Sequence, residues 1–428
     1  HIETMSDTYE VKAAILAAKE NSSLPVFVTM IFDERGKLLT GGDVPSVVAM
    51  LEGLRVDALG LNCGLGPKQM LPILNDLRRY TSLPIIVKPN AGLPKQKNGE
   101  TYYDVEPDEF ARIMQEVVKG GACVIGGCCG TNPDYIAKIK SEVADREYQP
   151  QTKSVDTTVC SSTTVVEING PRIIGERINP TGKKLFKQAL VENNIDYILT
   201  QALSQVQGGA EILDVNVGHP EIDEKKMMVR VLKAIQSVCD VPLQIDSTKP
   251  EVIEAGLRYY NGKPILNSVN GEEQSLATVL PLVKKYGASV VGLALDENGI
   301  PKTAEGRFEI AKRIVERAEA VGIDRKDVYI DCLTLTVSAE QAACRQTLEA
   351  LHRVKTELGC KTCLGVSNIS FGLPNRELVN RTFLTMAMEQ GLDLPIINPN
   401  VESMTGAVRA FRVLNGIDKN SLEFINAY

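Results

Sequence analysis

The sequence predicts an α/β protein with a complete (β/α)8 TIM barrel preceded by the C-terminal half of a second TIM barrel. Short β-branched runs alternate with helical patterns of ten or more residues, which is typical of parallel βαβ units. From Pro171 onward eight such units follow one another, whereas only four full strands precede Glu147. The 428 residues suit two domains but are few for two whole barrels, which need roughly 250 residues each.

The complete barrel is predicted over residues 171–428. Each of its strands is a short apolar run that ends in a polar residue, and eight strand–helix repeats are what closes a barrel of this class. The strands are predicted near 172–177, 211–217, 242–246, 264–269, 289–295, 328–333, 361–367 and 394–398.

The half-barrel is predicted over residues 1–146, with strands near 25–31, 58–63, 84–90 and 122–128 and with His1 to Met5 as the tail of an earlier strand. Four strands cannot close such a barrel, because the open edges would leave backbone groups unpaired. We therefore expect the first half of this barrel to lie outside the sequence given. Residues 147–170 are rich in Thr, Ser and Val without a helical period, so they are predicted to be a linker.

Composition excludes several classes of partner. The sequence has a net charge of −7 and no cluster of basic residues, so nucleic acid is not an expected partner. Small molecules are the expected partners. No run approaches the roughly 18 apolar residues of a membrane span. The ten cysteines are scattered and unlike a secreted disulfide framework, which predicts a cytoplasmic location with thiols free to bind metal.

Three of these thiols are predicted to meet at one metal. Cys63 ends one predicted strand and Cys128 and Cys129 end another, and the strands of a barrel end at a common rim. Three thiolates suit zinc and leave its fourth position open for a substrate, since no further Cys or His is placed to close the site. The alternative is that they are small buried apolar residues, but adjacent cysteines in a Gly-rich strand end favour metal. The Cys360/Cys363 pair straddles a strand entry and is given little weight; the remaining cysteines are interpreted as structural.

The predicted strands of the complete barrel end in carboxylates and amides, which would face one rim. Such a rim suits a ligand rich in N–H donors, because carboxylates accept hydrogen bonds and amides both donate and accept them. Helix capping is the alternative for single members of the set, Asp246 above all. The set comprises Glu176, Asp214, Asn216, Asp246, Asn267, Asp331, Asn368, Asn398 and Asn400.

The cysteine-bearing segments resemble homocysteine S-methyltransferases in three motifs: IETMSD at 2–7, LNCGLGP at 61–67 and GGCCGT at 126–131. The resemblance implies that Cys63, Cys128 and Cys129 are zinc ligands and that Glu3 helps to hold the amino group of homocysteine. The residues in that family that contact homocysteine from the first half of the barrel have no counterpart here.

The second barrel resembles pterin-binding methyltransferases along its whole length, in GERINPTG at 175–182, LDVNVG at 213–218, QIDST at 244–248, ILNSVNG at 265–271 and GVSNISFGLPNR at 365–376. The resemblance implies that Asn368 lies near N5, the nitrogen that gives up the methyl group, and favours the protonated amine that leaves well. It implies a folate site formed by Glu176, Asn179, Asp214, Asn216, Asp246, Asn267, Asp331 and Asn368.

The two barrels in tandem are similar to the cobalamin-dependent methionine synthase family. That resemblance implies methyl transfer from 5-methyltetrahydrofolate to cob(I)alamin, and from methylcobalamin to zinc-bound homocysteine, giving methionine and tetrahydrofolate. No D-x-H-x-x-G cobalamin signature occurs in the sequence. Cobalamin is therefore expected on a domain or protein outside this chain.

Three other functions remain open at this stage. A pteroate-forming condensing enzyme would need a basic residue to grip a diphosphate at the last strand end, where the sequence has Ile-Asn-Pro-Asn. A Schiff-base aldolase would use Lys88, which the neighbouring cysteines disfavour. A folate- and zinc-binding module without turnover would follow from the missing half-barrel.

Overall fold

The computed structural model describes residues 1–146 and 157–428. They form two compact units. The first comprises the described residues up to Arg146 with Ser162–Val165, and the second comprises Thr157 to Ser161 and Val166–Tyr428. None of the described helices is long and apolar enough to cross a membrane.

The first unit is an open parallel sheet in the order β1-β2-β3-β4-β7, with an additional antiparallel pair, β5 and β6. The segment predicted as a strand tail at the start is thus the edge strand β1, which pairs with β2. In chain order the elements are β1 (Ile2–Met5), α1 (Thr8–Asn21), β2 (Phe27–Met30), α2 (Val44–Gly53), β3 (Ala58–Asn62), α3 (Pro67–Tyr80), β4 (Ile85–Lys88), β5 (Lys95–Lys97), β6 (Glu100–Tyr102), α4 (Pro107–Lys119), β7 (Ala122–Ile125) and α5 (Pro133–Val143).

The structure describes only the second part of the predicted linker. Residues 147–156 lie outside the described residues. Residues 157–170 carry β8 (Thr158–Cys160) and β9 (Val165–Glu167), which form a two-stranded sheet. Cys160 exchanges two backbone hydrogen bonds with Lys263, N to O at 2.9 Å and 3.0 Å. These residues therefore belong to the folded structure, and the absence of helical periodicity reflected two short strands.

The second unit is a closed barrel in which each strand pairs in parallel with the next and the last pairs with the first. This confirms the predicted fold class, a closed eight-stranded barrel preceded by a partial α/β region. Its elements are β10 (Ile174–Ile178), α6 (Lys184–Val191), α7 (Ile195–Gln207), β11 (Ile212–Asn216), α8 (Glu224–Gln236), β12 (Leu243–Asp246), α9 (Pro250–Tyr259), β13 (Ile265–Asn270), α10 (Glu273–Tyr286), β14 (Ser289–Leu293), α11 (Ala304–Ala320), β15 (Val328–Asp331), α12 (Ala343–Arg353), β16 (Lys361–Gly365), α13 (Arg376–Glu389), β17 (Leu394–Ile397), α14 (Glu402–Leu414) and α15 (Leu422–Ala427).

The barrel is closed by apolar side chains at its amino-terminal end. Val159 of β8 and Ile168 after β9 pack there against first-layer residues such as Ile174, Ile212 and Ile265, all at most 1% exposed. Cys363 belongs to the same cluster and Cys360 is also buried, which agrees with the low weight given to that pair. With this end filled, the carboxyl ends of the strands form the open mouth, where polar groups can meet a ligand.

Candidate functional site

The three predicted metal-binding thiols converge in the first unit. The sulfur atoms of Cys63, Cys128 and Cys129 all lie within 4.8 Å of one another. The sulfurs of Cys63 and Cys129 are 3.6 Å apart. The end of β4 joins the two segments, because Cys63 N donates to Lys88 O at 3.1 Å and Cys128 N donates to Pro89 O at 2.8 Å.

The backbone of both thiol segments turns sharply, which only certain residues permit. Cys63 and Gly64 have φ of +62° and +73°, so the chain reverses directly after β3. In the other segment, a Cβ on Gly130 would lie 2.5 Å from a ring carbon of Tyr103. Glycine is therefore required at that position for the ring to approach the thiols.

The electrostatics of the cluster suit a cation. Burial, and then the thiols of Cys129 and Cys128, raise the pKa of Cys63 to about 11, against the backbone N–H of Gly64. Three sulfurs at this spacing cannot all ionise without a compensating positive charge, whereas a bound divalent metal deprotonates its thiol ligands. Cys129 is exposed, so a further ligand can approach from solvent. The donor set fits a soft metal with an open coordination position.

Asn62 is a site residue that the sequence reasoning missed. Its side chain is buried, and its Nδ2 lies 3.8 Å from the sulfur of Cys128 and 2.8 Å from Thr4 Oγ1. Its Oδ1 accepts from Thr4 N at 2.9 Å. Asn62 thereby ties β1 to the thiol cluster. The only available signal was its place directly before Cys63 in the motif.

Glu3, predicted to bind the amino group of homocysteine, forms an ion pair with Lys88 at the end of β4. The Glu3 side chain is 50% exposed, so it stays accessible to a solute. The amino group of Lys88 is held in this ion pair, whereas a Schiff-base lysine must be free to attack a carbonyl. This contact disfavours the aldolase alternative.

At the mouth of the second unit, neighbouring strands bring three predicted residues side by side. Register pairs Asn216 with Asp246, and Asp246 with Asn267. Gln244 Nε2 donates to Asp214 Oδ1 at 2.7 Å inside the barrel. Burial, and then the charge of Asp246, raise the pKa of Asp214 well above its usual value. Burial also raises the pKa of Asp246 to about 6, against a hydrogen bond from Asn216.

Glu176 lies on β10, the neighbour of β11, and two side chains form hydrogen bonds with it. Ser367 Oγ donates to Glu176 Oε2 at 3.2 Å, and Lys183 Nζ donates to the carbonyl oxygens of Glu176 and Asn179 at 3.2 and 3.3 Å. Burial raises the pKa of Glu176, while the charge of Lys183 opposes the shift. Asn179 Oδ1 accepts a hydrogen bond from Thr181 N at 2.9 Å within the same turn. A hydrogen bond with the Asn179 side chain also opposes the rise in the pKa of Asp214. Sequence reasoning missed Lys183.

Asp331 ends β15, and its carboxyl is almost completely buried. Leu333 N donates to its Oδ1 at 2.7 Å. Burial raises the pKa of Asp331 to about 7, although the backbone N–H of Leu333, the charge of Arg307 and the backbone N–H of Gly365 oppose the shift. Near neutral pH this group can therefore hold or release a proton.

Asn368 follows β16 in a 3-10 turn, Val366–Ser370, and is exposed. Its amide occupies space left by Gly365, where a Cβ would lie 3.1 Å from Asn368 Nδ2. It is therefore presented to solvent and is not drawn into the cluster of buried carboxyls.

A cavity of about 210 Å³ opens beside Glu176 and reaches Asn398, another predicted rim residue. Arg376, which the sequence reasoning did not single out, lines it. The Arg376 guanidinium lies 4.4 Å from the ring centre of Phe371 and donates to Ser367 O at 2.8 Å. The cavity thus has a cation and an amide next to a carboxylate.

Two protein families match this sequence. The family of pterin binding enzymes matches residues 175–398, and the family of homocysteine S-methyltransferases matches residues 1–143. The methionine synthases of Mycobacterium leprae (strain TN) and Mycobacterium tuberculosis (strain ATCC 25618 / H37Rv) are each 33% identical to this chain over 93% of its length. The chain spans 35% of the length of each of these relatives.

Solved structures share the fold of the barrel. A dihydropteroate synthase from Xanthomonas albilineans, determined with 4-aminobenzoic acid, superposes with a TM-score of 0.50 and 19% sequence identity. The match covers 62% of this chain and all of that chain. At this identity the likeness concerns the fold alone.

Proposed function

The chain belongs to the pterin-binding enzyme family, whose match spans residues 175–398, and from this premise we propose that its barrel binds 5-methyltetrahydrofolate and transfers the methyl group to cob(I)alamin. The observation that carries the proposal is the gathering of Asp214, Asp246 and Asn267 at one mouth, with Glu176 and Asp331 on other strands of the same rim. The methionine synthase relatives and the homocysteine S-methyltransferase match support homocysteine as the final acceptor, giving methionine and tetrahydrofolate.

The buried carboxyls would recognise the pterin by accepting its N–H groups. A pterin carries an amino group beside ring nitrogens, and an ionised carboxylate accepts from two such donors at once. The pKa values of Asp246 and Asp331, about 6 and 7, keep both groups largely ionised above neutral pH. Desolvation at this site makes each hydrogen bond stronger than the same contact in water.

Asn368 would act on the reacting end of the folate. Its exposed amide can accept a hydrogen bond from a protonated N5, and protonation makes that amine a better leaving group. An amide cannot supply the proton itself, so its contribution is to stabilise the charged form. We assign it the catalytic role and assign the carboxyls to binding.

Cys63, Cys128 and Cys129 would hold zinc, and bound zinc would lower the pKa of the homocysteine thiol so that it reacts as a thiolate. Asn62 fixes the orientation of Cys128 by its contact to the sulfur. Glu3 would receive the substrate amino group in exchange for Lys88. Cobalamin would be presented by a separate domain or protein.

The test is a methyl-transfer assay with the chain, 5-methyltetrahydrofolate and free cob(I)alamin. We expect loss of the cob(I)alamin absorbance together with formation of tetrahydrofolate. The variant Cys128→Ala is the matched control, because it alters the other unit and should react at the same rate. Folate binding without any transfer would favour the alternative, a binding module without turnover. No folate binding at all would refute the proposal.

A further inference from the structure

Arg307, in the first turn of α11, has a fully buried side chain. A guanidinium stays charged in proteins, so its burial requires acceptors. Those it finds are neutral: Pro301 O at 2.9 Å from Nε, and Cys332 O, Leu333 O and Thr347 Oγ1 at 3.1, 3.0 and 2.7 Å from Nη1. Among the described residues its Nη2 has no hydrogen-bond partner.

Two of these acceptors belong to the turn that directly follows Asp331. Within this turn Leu333 has φ of +61°, in the left-handed region that a leucine disfavours because its Cβ crowds the backbone. The carbonyl oxygen of Leu333 accepts from Arg307 Nη1 and from Thr347 Oγ1, both at 3.0 Å. The two side chains therefore hold the residue in a conformation that it would not adopt by itself.

This conformation has a consequence for the carboxyl of Asp331. The N–H of Leu333 points back to Asp331 Oδ1 at 2.7 Å. Asp331 is also held through its backbone, since Ala294 N donates to Asp331 O at 2.9 Å. The backbone N–H groups of Leu333 and Gly365 both act on this carboxyl. A carboxylate has further lone pairs with which to accept from a ligand.

We propose that Arg307 is a positioning residue for the folate site: it locks the Cys332–Leu333 turn so that the Leu333 N–H orients the Asp331 carboxyl toward a pterin N–H. This inference rests on the proposed function of the barrel. Thr347 on α12 supports the same turn from the neighbouring helix. Both side chains hold the backbone of Leu333, and the charge of Arg307 also acts on the Asp331 carboxyl directly.

The surroundings of Asp331 make the effect measurable by pH. The Leu333 N–H and the Arg307 charge both favour ionised Asp331, so removing them raises its pKa further. The thiols of Cys332 and Cys363 also face Asp331, and burial raises the pKa of each so that both stay neutral. Folate affinity should fall at low pH as Asp331 takes up a proton, and we call this fall the acidic limb of folate binding. When the pKa of Asp331 is raised, the acidic limb should lie at higher pH than in the wild type.

The experiment measures tetrahydrofolate dissociation constants between about pH 5 and pH 9 for the wild-type chain, Arg307→Met and Thr347→Val. Arg313→Met is the matched control, since Arg313 lies on the same helix but forms a half-exposed ion pair with Asp296. We expect about tenfold weaker binding for Arg307→Met, the usual effect of losing a hydrogen bond from a charged donor, with the acidic limb at higher pH. Thr347→Val should change binding in the same direction by less, and Arg313→Met should bind as the wild type does.

Adding Leu333→Gly to Arg307→Met provides a rescue test, because glycine adopts positive φ without support. We expect part of the lost affinity to return. An unmoved acidic limb in both Arg307→Met and Thr347→Val overturns the positioning role, even if their thermal stability falls. If Arg307→Met does not fold, the limb of Thr347→Val decides alone. A wild-type chain that fails to bind folate instead refutes the proposed function itself.

Discussion

Replacing Asp331 by asparagine should stabilise the barrel at alkaline pH, even though it removes a proposed ligand-binding group. Burial raises the pKa of Asp331 from 3.8 to about 7, so the folded state keeps a proton that the unfolded chain releases. The stability associated with this proton is fully present below the unfolded pKa and is lost as the pH rises through the folded one.

The size of the effect follows from the two pKa values. Each unit of difference corresponds to about 1.36 kcal/mol, so ionisation of Asp331 costs the folded barrel about 4 kcal/mol in all. About 2 kcal/mol of this is lost between about pH 5 and pH 7. Asparagine does not titrate, so the free energy of unfolding of Asp331→Asn, relative to that of the wild type, should rise by about 2 kcal/mol over that range.

Urea unfolding followed by far-UV circular dichroism measures this difference at about pH 5, 6, 7 and 8. The chain has no tryptophan, which makes dichroism preferable to intrinsic fluorescence. The barrel transition can be identified as the one that tetrahydrofolate shifts in the wild type.

Asp296→Asn is the control on the same unit. A hydrogen bond from the backbone N–H of Asn298 lowers the pKa of Asp296, so this group is ionised in both the folded and the unfolded state throughout the range. The difference in free energy of unfolding between Asp296→Asn and the wild type should therefore stay constant with pH. If the difference for Asp331→Asn is equally constant, the folded barrel does not hold a proton on Asp331. The account of that carboxyl by burial would then be wrong.

Three further predictions concern the two proposed sites. Cys128→Ala should lower bound zinc from about one equivalent per chain to none by elemental analysis, whereas Cys123→Ala, outside the cluster, should keep it; zinc retained by Cys128→Ala would contradict the ligand assignment. Asn368→Ala should slow methyl transfer to cob(I)alamin about a hundredfold in single-turnover kinetics, with a smaller change in folate affinity, and a loss of affinity alone would argue against its catalytic role. Borohydride with carbonyl compounds should leave Lys88 unmodified in peptide mass spectra, because its amino group is held in an ion pair with Glu3; a reduced adduct would restore the aldolase alternative.

The strands of the closed barrel were predictable because each is a short apolar run that ends in a polar residue. Predicted strands such as 242–246 and 394–398 differ from β12 and β17 by about one residue at an end. The two strands within residues 157–170 were not predicted, because three-residue strands carry too little periodicity to be recognised. Their backbone partner, Lys263, lies about a hundred residues away in the chain.

The approach of the thiols was predictable for a related reason. Parallel strands end at a common rim, so Cys63 and the Cys128-Cys129 pair had to lie at the same end of the sheet. Sequence reasoning could not find Asn62, Lys183 or Arg307. Each of these side chains contacts a backbone carbonyl or a sulfur atom that a turn brings near it. The type of a side chain does not reveal which backbone atoms will lie beside it.

The sequence by itself determined the order of strands and helices, the end of each sheet at which polar groups gather, and the residue types available there, because periodicity and chain direction are local properties. Only the tertiary structure decided which carboxyls are desolvated, which of them keep a proton near neutral pH, and which buried cation holds the turn after β15. Desolvation and charge interaction depend on distances between segments far apart in sequence. Those distances exist only once the barrel has closed.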